Sequence, residues 1–471
     1  MAPHPKGYGE KEQPGSDRRT FLKSFAVIAP LGQTLTRTAT RPQSRTQLEL
    51  LSTHPIDGAT EVVTQDQYAY VAVANRFREI RGSPGELAVV DWTTPTQPRT
   101  VYSDEAPNLA IGTWDVKVAG DVAGLASTAP GVGGVDFFDA SDPENPEHVS
   151  FYDVSTADRY NGRVHNFFID GEYAYVGVNA ATTIDSDGDG VSEKVRQFGE
   201  DGVDIVDVSD PTTPTRVSTW QLKEFPGPAF ATASVNGFHD LYVQDGLAYV
   251  CFWDAGIVVL DVSDPSAPEL AGHFGEAPDA DKEVRFRNTD EESRGAYFQE
   301  TGVRDHRQRL PGNAHYVQPS PDGTYVFVGA ESFIKGEPGG IDIWDVSDLG
   351  DISDIEDLLA GPKRVGHISP PDIELSKADQ EFVDTIQRFN VFNSRARALV
   401  HTSHNFDVTD DRLYTSWHGG GVRVFDITDP SAPTEIGVYD PEDASFWAAV
   451  AAGETIVASD IGTGLVFLEA P

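Results

Sequence analysis

Along most of this chain, apolar positions alternate with polar or small ones in short runs that end at Asp, Gly or Pro. One phrase recurs: "GELAVVDWTTPTQP" (85–98), "GGVDFFDASDPENP" (133–146), "DGVDIVDVSDPTTP" (201–214), "AGIVVLDVSDPSAP" (255–268), "GGIDIWDVSDLGD" (339–351) and "GGVRVFDITDPSAP" (420–433), with a shortened copy, "TGLVFLEAP" (463–471), at the end. A period of two in β-branched and aromatic residues, running into Asp-Pro, predicts a strand followed by a turn. A helical period stands out in "LSKADQEFVDTIQRF" (375–389), read as a short amphipathic lid helix.

A strand, a polar turn and a second strand precede each copy, as in "HNFFIDGEYAYVGVN" (165–179) and "HDLYVQDGLAYVCFWD" (239–254). A fourth short strand follows each Asp-Pro turn, as in "PELAGHFG" (268–275). The pattern predicts an all-β fold: a seven-bladed β-propeller of four-stranded antiparallel blades. The last unit lacks its fourth strand. "TQLELLST" (46–53) is unpaired and is expected to supply it, closing the ring and removing an open sheet edge. The propeller is thus expected over 46–471, with cap loops at 275–313 and 369–403 and residues 1–45 outside it.

Strand one of each propeller blade lines the central channel. Counting back from each strand-two "AYV" places Thr60, Trp114, His165, His239, His315, His404 and Trp447 in one ring at the channel mouth. Strand two returns to the same mouth, with Asn75, Asn179, Asp254, Glu331, His418 and Asp460 at its ends. His165, His239, His315, His404, His418, Asp254, Glu331 and Asp460 are therefore the candidates for holding a ligand or a transition metal (Cu, Zn or Fe), for which neutral imidazole is a preferred ligand. The regularity of the ring equally fits a framework role, each imidazole bonding the next blade. His418 departs from the pattern, because its equivalents are Asp, Asn or Glu. Long insertions fall on the same face, the usual place for a working surface.

Composition narrows the class. The net charge is −40, from 75 acidic and 35 basic residues, of which only 10 are Lys. With 39% apolar and 10% aromatic residues the chain is globular, and the acid excess suits a protein hydrated in concentrated salt. It argues against nucleic acid, whose binding needs a basic face. The expected partners are a small molecule or an extracellular protein or glycan, and the chain reads as a monomer. Its single cysteine, Cys251, sits in an apolar strand, so the fold has no intrachain disulfide. No apolar run is long enough for a membrane helix.

"DSDGDGVSE" (185–193) offers oxygens from Asp185, Asp187, Asp189, the Val191 carbonyl and Glu193, with a turn at Gly190, as a Ca²⁺ loop requires. Its twelfth position is Arg196, so a helix–loop–helix hand is not expected. Nine arginines cluster in the two cap loops, among them Arg304, Arg395 and Arg397, candidates for an anion pocket or for internal ion pairs.

Three resemblances carry further expectations. "DIVDVSDP" and "IVVLDVSDP" resemble the LVIVD-repeat family, of haloarchaeal type, over nearly the whole of 46–471. The segment 407–437 resembles selenium-binding protein and methanethiol oxidase. Those are propellers with metal-binding histidines at the mouth, which points here to His404 and His418. No match to that family's reactive cysteine is seen. "SDRRTFLKSFAVIAPLG" (16–32) resembles a twin-arginine signal, implying an extracellular or cell-surface location, the alternative being cytoplasmic. The function expected is an exported propeller binding a ligand or partner at its His-rich mouth, the alternative a metal-dependent oxidoreductase using the same residues.

Overall fold

The computed structural model describes residues 46–74, 84–107, 112–129, 132–155, 163–179, 181–184, 193–196, 201–225, 237–253, 255–275, 313–331, 333–334, 337–349, 361–371, 402–442 and 444–471. They form seven four-stranded antiparallel blades in chain order, one of them extended by a fifth strand, and two two-stranded hairpins. Blade six is representative: Ser403–Val408, Arg412–Trp417, Gly421–Asp426 and Thr434–Tyr439 pair in succession. Strand one of every blade contacts strand one of both neighbours, so the seven close a ring around a channel.

Each blade is buried on both faces. Seven hydrophobic cores lie between adjacent blades, for example Tyr175, Val203 and Trp220 of blade three against Phe238, Val250 and Val258 of blade four, and Val422 and Val424 of blade six against Phe446 and Val466 of blade seven. This explains why strand two and strand three read as continuous apolar runs such as "YAYVGV": a strand covered on both sides needs no polar face. The recurrent Asp ending strand three organises the following turn. Asp261 accepts from the N–H and hydroxyl of Ser263, at 2.9 and 2.6 Å, and Asp426 does the same from Thr428, at 3.0 and 2.7 Å. Those bonds hold the Asp261 and Asp426 carboxyls below their ordinary range.

The expected closure is present. Leu50–Pro55 pairs antiparallel with the third strand of blade seven, Gly464–Glu469, and completes that blade. The segment 46–53 is nevertheless not one strand. Thr46–Gln47 pairs in parallel with the outer strand of blade six, Thr46 opposite Gly437. Between the two pieces Leu48 is buried in the core between blades six and seven. That apolar anchor divides the segment over two blades. The expected helix at 375–389 lies outside the described residues.

Candidate functional site

The ring read from the sequence is a physical one. Ring centroids run Trp114–His165 5.6 Å, His165–His239 4.6 Å, His239–His315 4.0 Å, His315–His404 4.4 Å and His404–Trp447 4.2 Å. Trp447 and Trp114 then stack at 6.1 Å across the small Thr60, closing the circle. Thr60 itself donates to the carbonyls of Ala72 and Thr113.

A local irregularity aims these residues. In six blades the pairing of strands one and two slips by one residue at the ring position, for example between Thr113 and Val116 and between Ser403 and Phe406. Such a β-bulge re-aims the residues at the slip. Two consecutive residues, such as His404 and Asn405, can then both face the channel.

Glu331 follows strand two of blade five (Tyr325–Ala330) and is buried, 6% exposed. Its carboxylate stands 3.6 Å from His315 Nε2, 3.6 Å from His418 Nε2 and 3.9 Å from His404 Nε2. These distances are too long for hydrogen bonds. Two ligands each about 2.1 Å from a common ion lie roughly 3.4 Å apart in a tetrahedron and up to about 4.2 Å apart when opposed. Two sets offer one ligand atom per residue, all within 4.8 Å of one another: His239, His315 and Glu331, and Glu331, His404 and His418. Glu331 is common to both. Each set is two imidazoles and one carboxylate, donors suited to a first-row transition ion and not to calcium or magnesium.

Two of the imidazoles have a fixed tautomer. His239 Nδ1 lies 3.0 Å from the His315 carbonyl and His404 Nδ1 lies 2.7 Å from the Trp447 carbonyl. A carbonyl only accepts, so each Nδ1 carries a proton, and in the neutral ring the lone pair then lies on Nε2. Each bond also ties one blade to the next. The framework reading and the ligand reading of these histidines are therefore compatible.

Neighbouring backbone holds the set in place. Asn313, fully buried, has φ +61°. Its Nδ2 donates to the Glu331 carbonyl at 3.0 Å, and its own carbonyl accepts the Glu331 N–H at 3.3 Å. Trp253 has φ +49°, and its ring lies 4.7 Å from that of His239. Positive φ is uncommon for a bulky side chain and clusters at functional sites. His418 is fixed by its N–H on the Thr402 carbonyl, and by Arg423, which binds the Gly420 carbonyl of the next turn while forking onto Glu435. Asn313 and Arg423 carry no sequence signal of this role; only the left-handed preference of Asn could have pointed to the first.

The remaining candidates separate. His165 belongs to the ring but to neither three-ligand set. Asp460 is occupied by the Ser445 and Gly462 N–H groups and the Thr463 hydroxyl, so it organises a turn. Asn179 donates to the Phe238 carbonyl. Asp254, Asp185, Asp187, Asp189, Val191, Arg304, Arg395 and Arg397 lie outside the described residues. Glu193 opens the strand Glu193–Arg196, paired with Ala181–Ile184. Cys251 is fully buried, and burial pushes its thiol well up, which leaves no reactive thiolate.

Below the ring the bulge brings in a second belt. Asp115 pairs with the Lys117 ammonium, Asn166 donates to Asp240 at 2.7 Å, and Asn405 donates to Glu61 at 2.5 Å. Burial pushes the Glu61 carboxyl up to about 8, against the opposing pull of Lys117 and of the Asn405 and Trp447 donors. Burial also raises Asp115 and Asp240.

Comparison with known proteins agrees with this architecture. Residues 198–221, 238–275 and 407–441 match the LVIVD repeat. No curated protein matches the chain significantly. Among solved structures, the β-propeller domain of Cps50 (Swd1) from Myceliophteria thermophila is 9% identical with a TM-score of 0.52, covering 89% of this chain and 99% of that one. The structure of U3-55K is 8% identical with a TM-score of 0.51, covering 91% and 100%. At such identities the likeness is one of fold alone. The chain is thus a seven-bladed β-propeller that carries LVIVD repeats in blades three, four and six.

Proposed function

We propose that this propeller binds a first-row transition metal at its His-rich channel mouth and presents it to a small ligand. The observation that supports the reading best is Glu331, one buried carboxylate facing the Nε2 atoms of His315, His404 and His418 at 3.6–3.9 Å. Glu331, His404 and His418 would hold the ion, with Glu331, His315 and His239 as the second set on the other oxygen of the same carboxylate. The bound metal would act as a Lewis acid or as a redox centre. The oxidoreductase alternative uses the same residues and rests on the resemblance of 407–437 to methanethiol oxidase.

The test is metal analysis by mass spectrometry on the purified protein. Wild type should carry near-stoichiometric transition metal, and Glu331→Gln and His418→Ala should each weaken binding by at least about tenfold. Substoichiometric metal in wild type after incubation with Zn²⁺, Cu²⁺ or Fe²⁺ sinks the proposal. Calcium on the loop 185–193 belongs to the same reading as a separate pin. Its loss on Asp187→Ala, in the same measurement, is the expected result, and unchanged calcium would remove it. Twin-arginine export completes the reading. Substituting Arg18 and Arg19 by Lys should retain the protein inside the cell. Among the described residues no helix is long and apolar enough to cross a membrane.

A further inference from the structure

We propose that the channel carries a second ligand site beyond the belt, specific for a small protonated amine. A cavity of about 210 Å³ lies along the later residues of strand one, where Glu61, Lys117, Tyr242, Tyr316, Asn405 and Asp407 supply most of its polar wall. None of the ring histidines lines it, so it is separate from the metal candidates.

The hydrogen-bond inventory of the wall sets the ligand's chemistry. Four of its donors are already engaged. Asn405 Nδ2 donates to Glu61, Gln318 Nε2 donates to Asp407 at 2.9 Å, the Tyr316 hydroxyl reaches Gln318 Oε1 at 3.4 Å, and the Lys117 ammonium is held by Asp115. An acceptor is left over. Asn405 is 2% exposed, and its Oδ1 has no hydrogen-bond partner among the described residues. A buried acceptor without a donor is unfavourable, so the site favours a ligand that brings N–H groups.

Charge and shape agree. Glu61 and Asp407 line the cavity, and Asp115 and Asp240 lie within electrostatic reach of Glu61, against the ammonium of Lys117. Burial raises the Asp407 carboxyl, with the Gln318 and Ala451 donors opposing, as it raises that of Glu61. A bound cation would favour their ionised forms. The Phe168 and Tyr242 rings, 4.6 Å apart, and Tyr316 offer aromatic faces that attract an ammonium. Val63, Ile169 and Val450 leave an apolar wall for a short alkyl tail. A bare metal ion would leave that wall unused, and an anion would meet the surplus carboxyls.

The test is calorimetric titration of metal-stripped protein with n-butylammonium chloride at fixed salt, beside sodium butyrate and tetramethylammonium chloride. Stripping the metal separates this result from the fate of the mouth reading. Saturable binding of butylammonium is expected, weakened at least about tenfold by Glu61→Gln or Asp407→Asn, a change equal to roughly 1.4 kcal/mol. Butyrate should not bind, and tetramethylammonium, which has no N–H, should bind more weakly. Absence of saturable binding in wild type, equal binding of butyrate, or full affinity in both variants (their fold checked by circular dichroism) would overturn the proposal.

Discussion

At the scale of single residues, the channel depends on polar side chains whose surroundings decide what they do. Glu61 shows this most plainly. Its carboxyl keeps its proton up to about pH 8 in the folded protein, whereas the ordinary value is 4.5. Between those values the folded state binds more protons than the unfolded state, so stability falls as pH rises through the window. Asp115 and Asp240, which share the belt, are raised in the same direction, while Lys117 is raised too and stays charged throughout. Glu61→Gln should therefore flatten the fall in urea midpoint between pH 5 and 8, and leave the protein more stable than wild type at pH 8. An unchanged slope would show that Glu61 titrates normally. The sequence showed Glu331 and His418, because both lie at strand-two ends at computable positions. It did not show Glu61 or Asp115, because strict alternation turns the residue after the ring away from the channel. The bulge that turns it inward breaks that period.

At the scale of elements, the blade is the unit and its edge is the vulnerable part. Leu50–Pro55 covers the free edge of Gly464–Glu469. A truncated protein beginning at residue 56 should lose cooperative unfolding and aggregate through that edge, as read by light scattering on mild heating. Phe467, fully buried in the core between blades seven and one, tests the same closure from inside. Phe467→Ala should lower unfolding free energy by about 3–5 kcal/mol, measured by denaturant titration. Closure by the first described segment was legible because the last repeat visibly lacks a strand. The pairing of Thr46–Gln47 with blade six was not, since two residues carry no period. It follows from the burial of Leu48 between blades.

At the scale of the whole molecule, a net charge of −40 acts on every part of the ring at once. Like charges on a compact body repel, and salt screens them over a distance of about 10 Å at 0.1 M. The thermal midpoint should therefore rise steadily from low salt to molar KCl. A midpoint that fell with added KCl would remove the reading of the charge as an adaptation to salt. Each blade is buried against two neighbours by separate cores.

By itself the sequence determined the blade, its repeat number and its closure. These follow from local period and turn chemistry, which a linear pattern records directly. It also placed the strand-one residues from Trp114 to Trp447 in one ring, because the spacing to strand two fixes that register. What only the tertiary structure decided is which of them meet. Glu331 serves His315 on its own blade and both histidines of blade six, and Asn405 reaches Glu61 across the join of the ring, 344 residues away. Such meetings depend on closing the circle and on a bulge in strand one, and neither leaves a period in the chain.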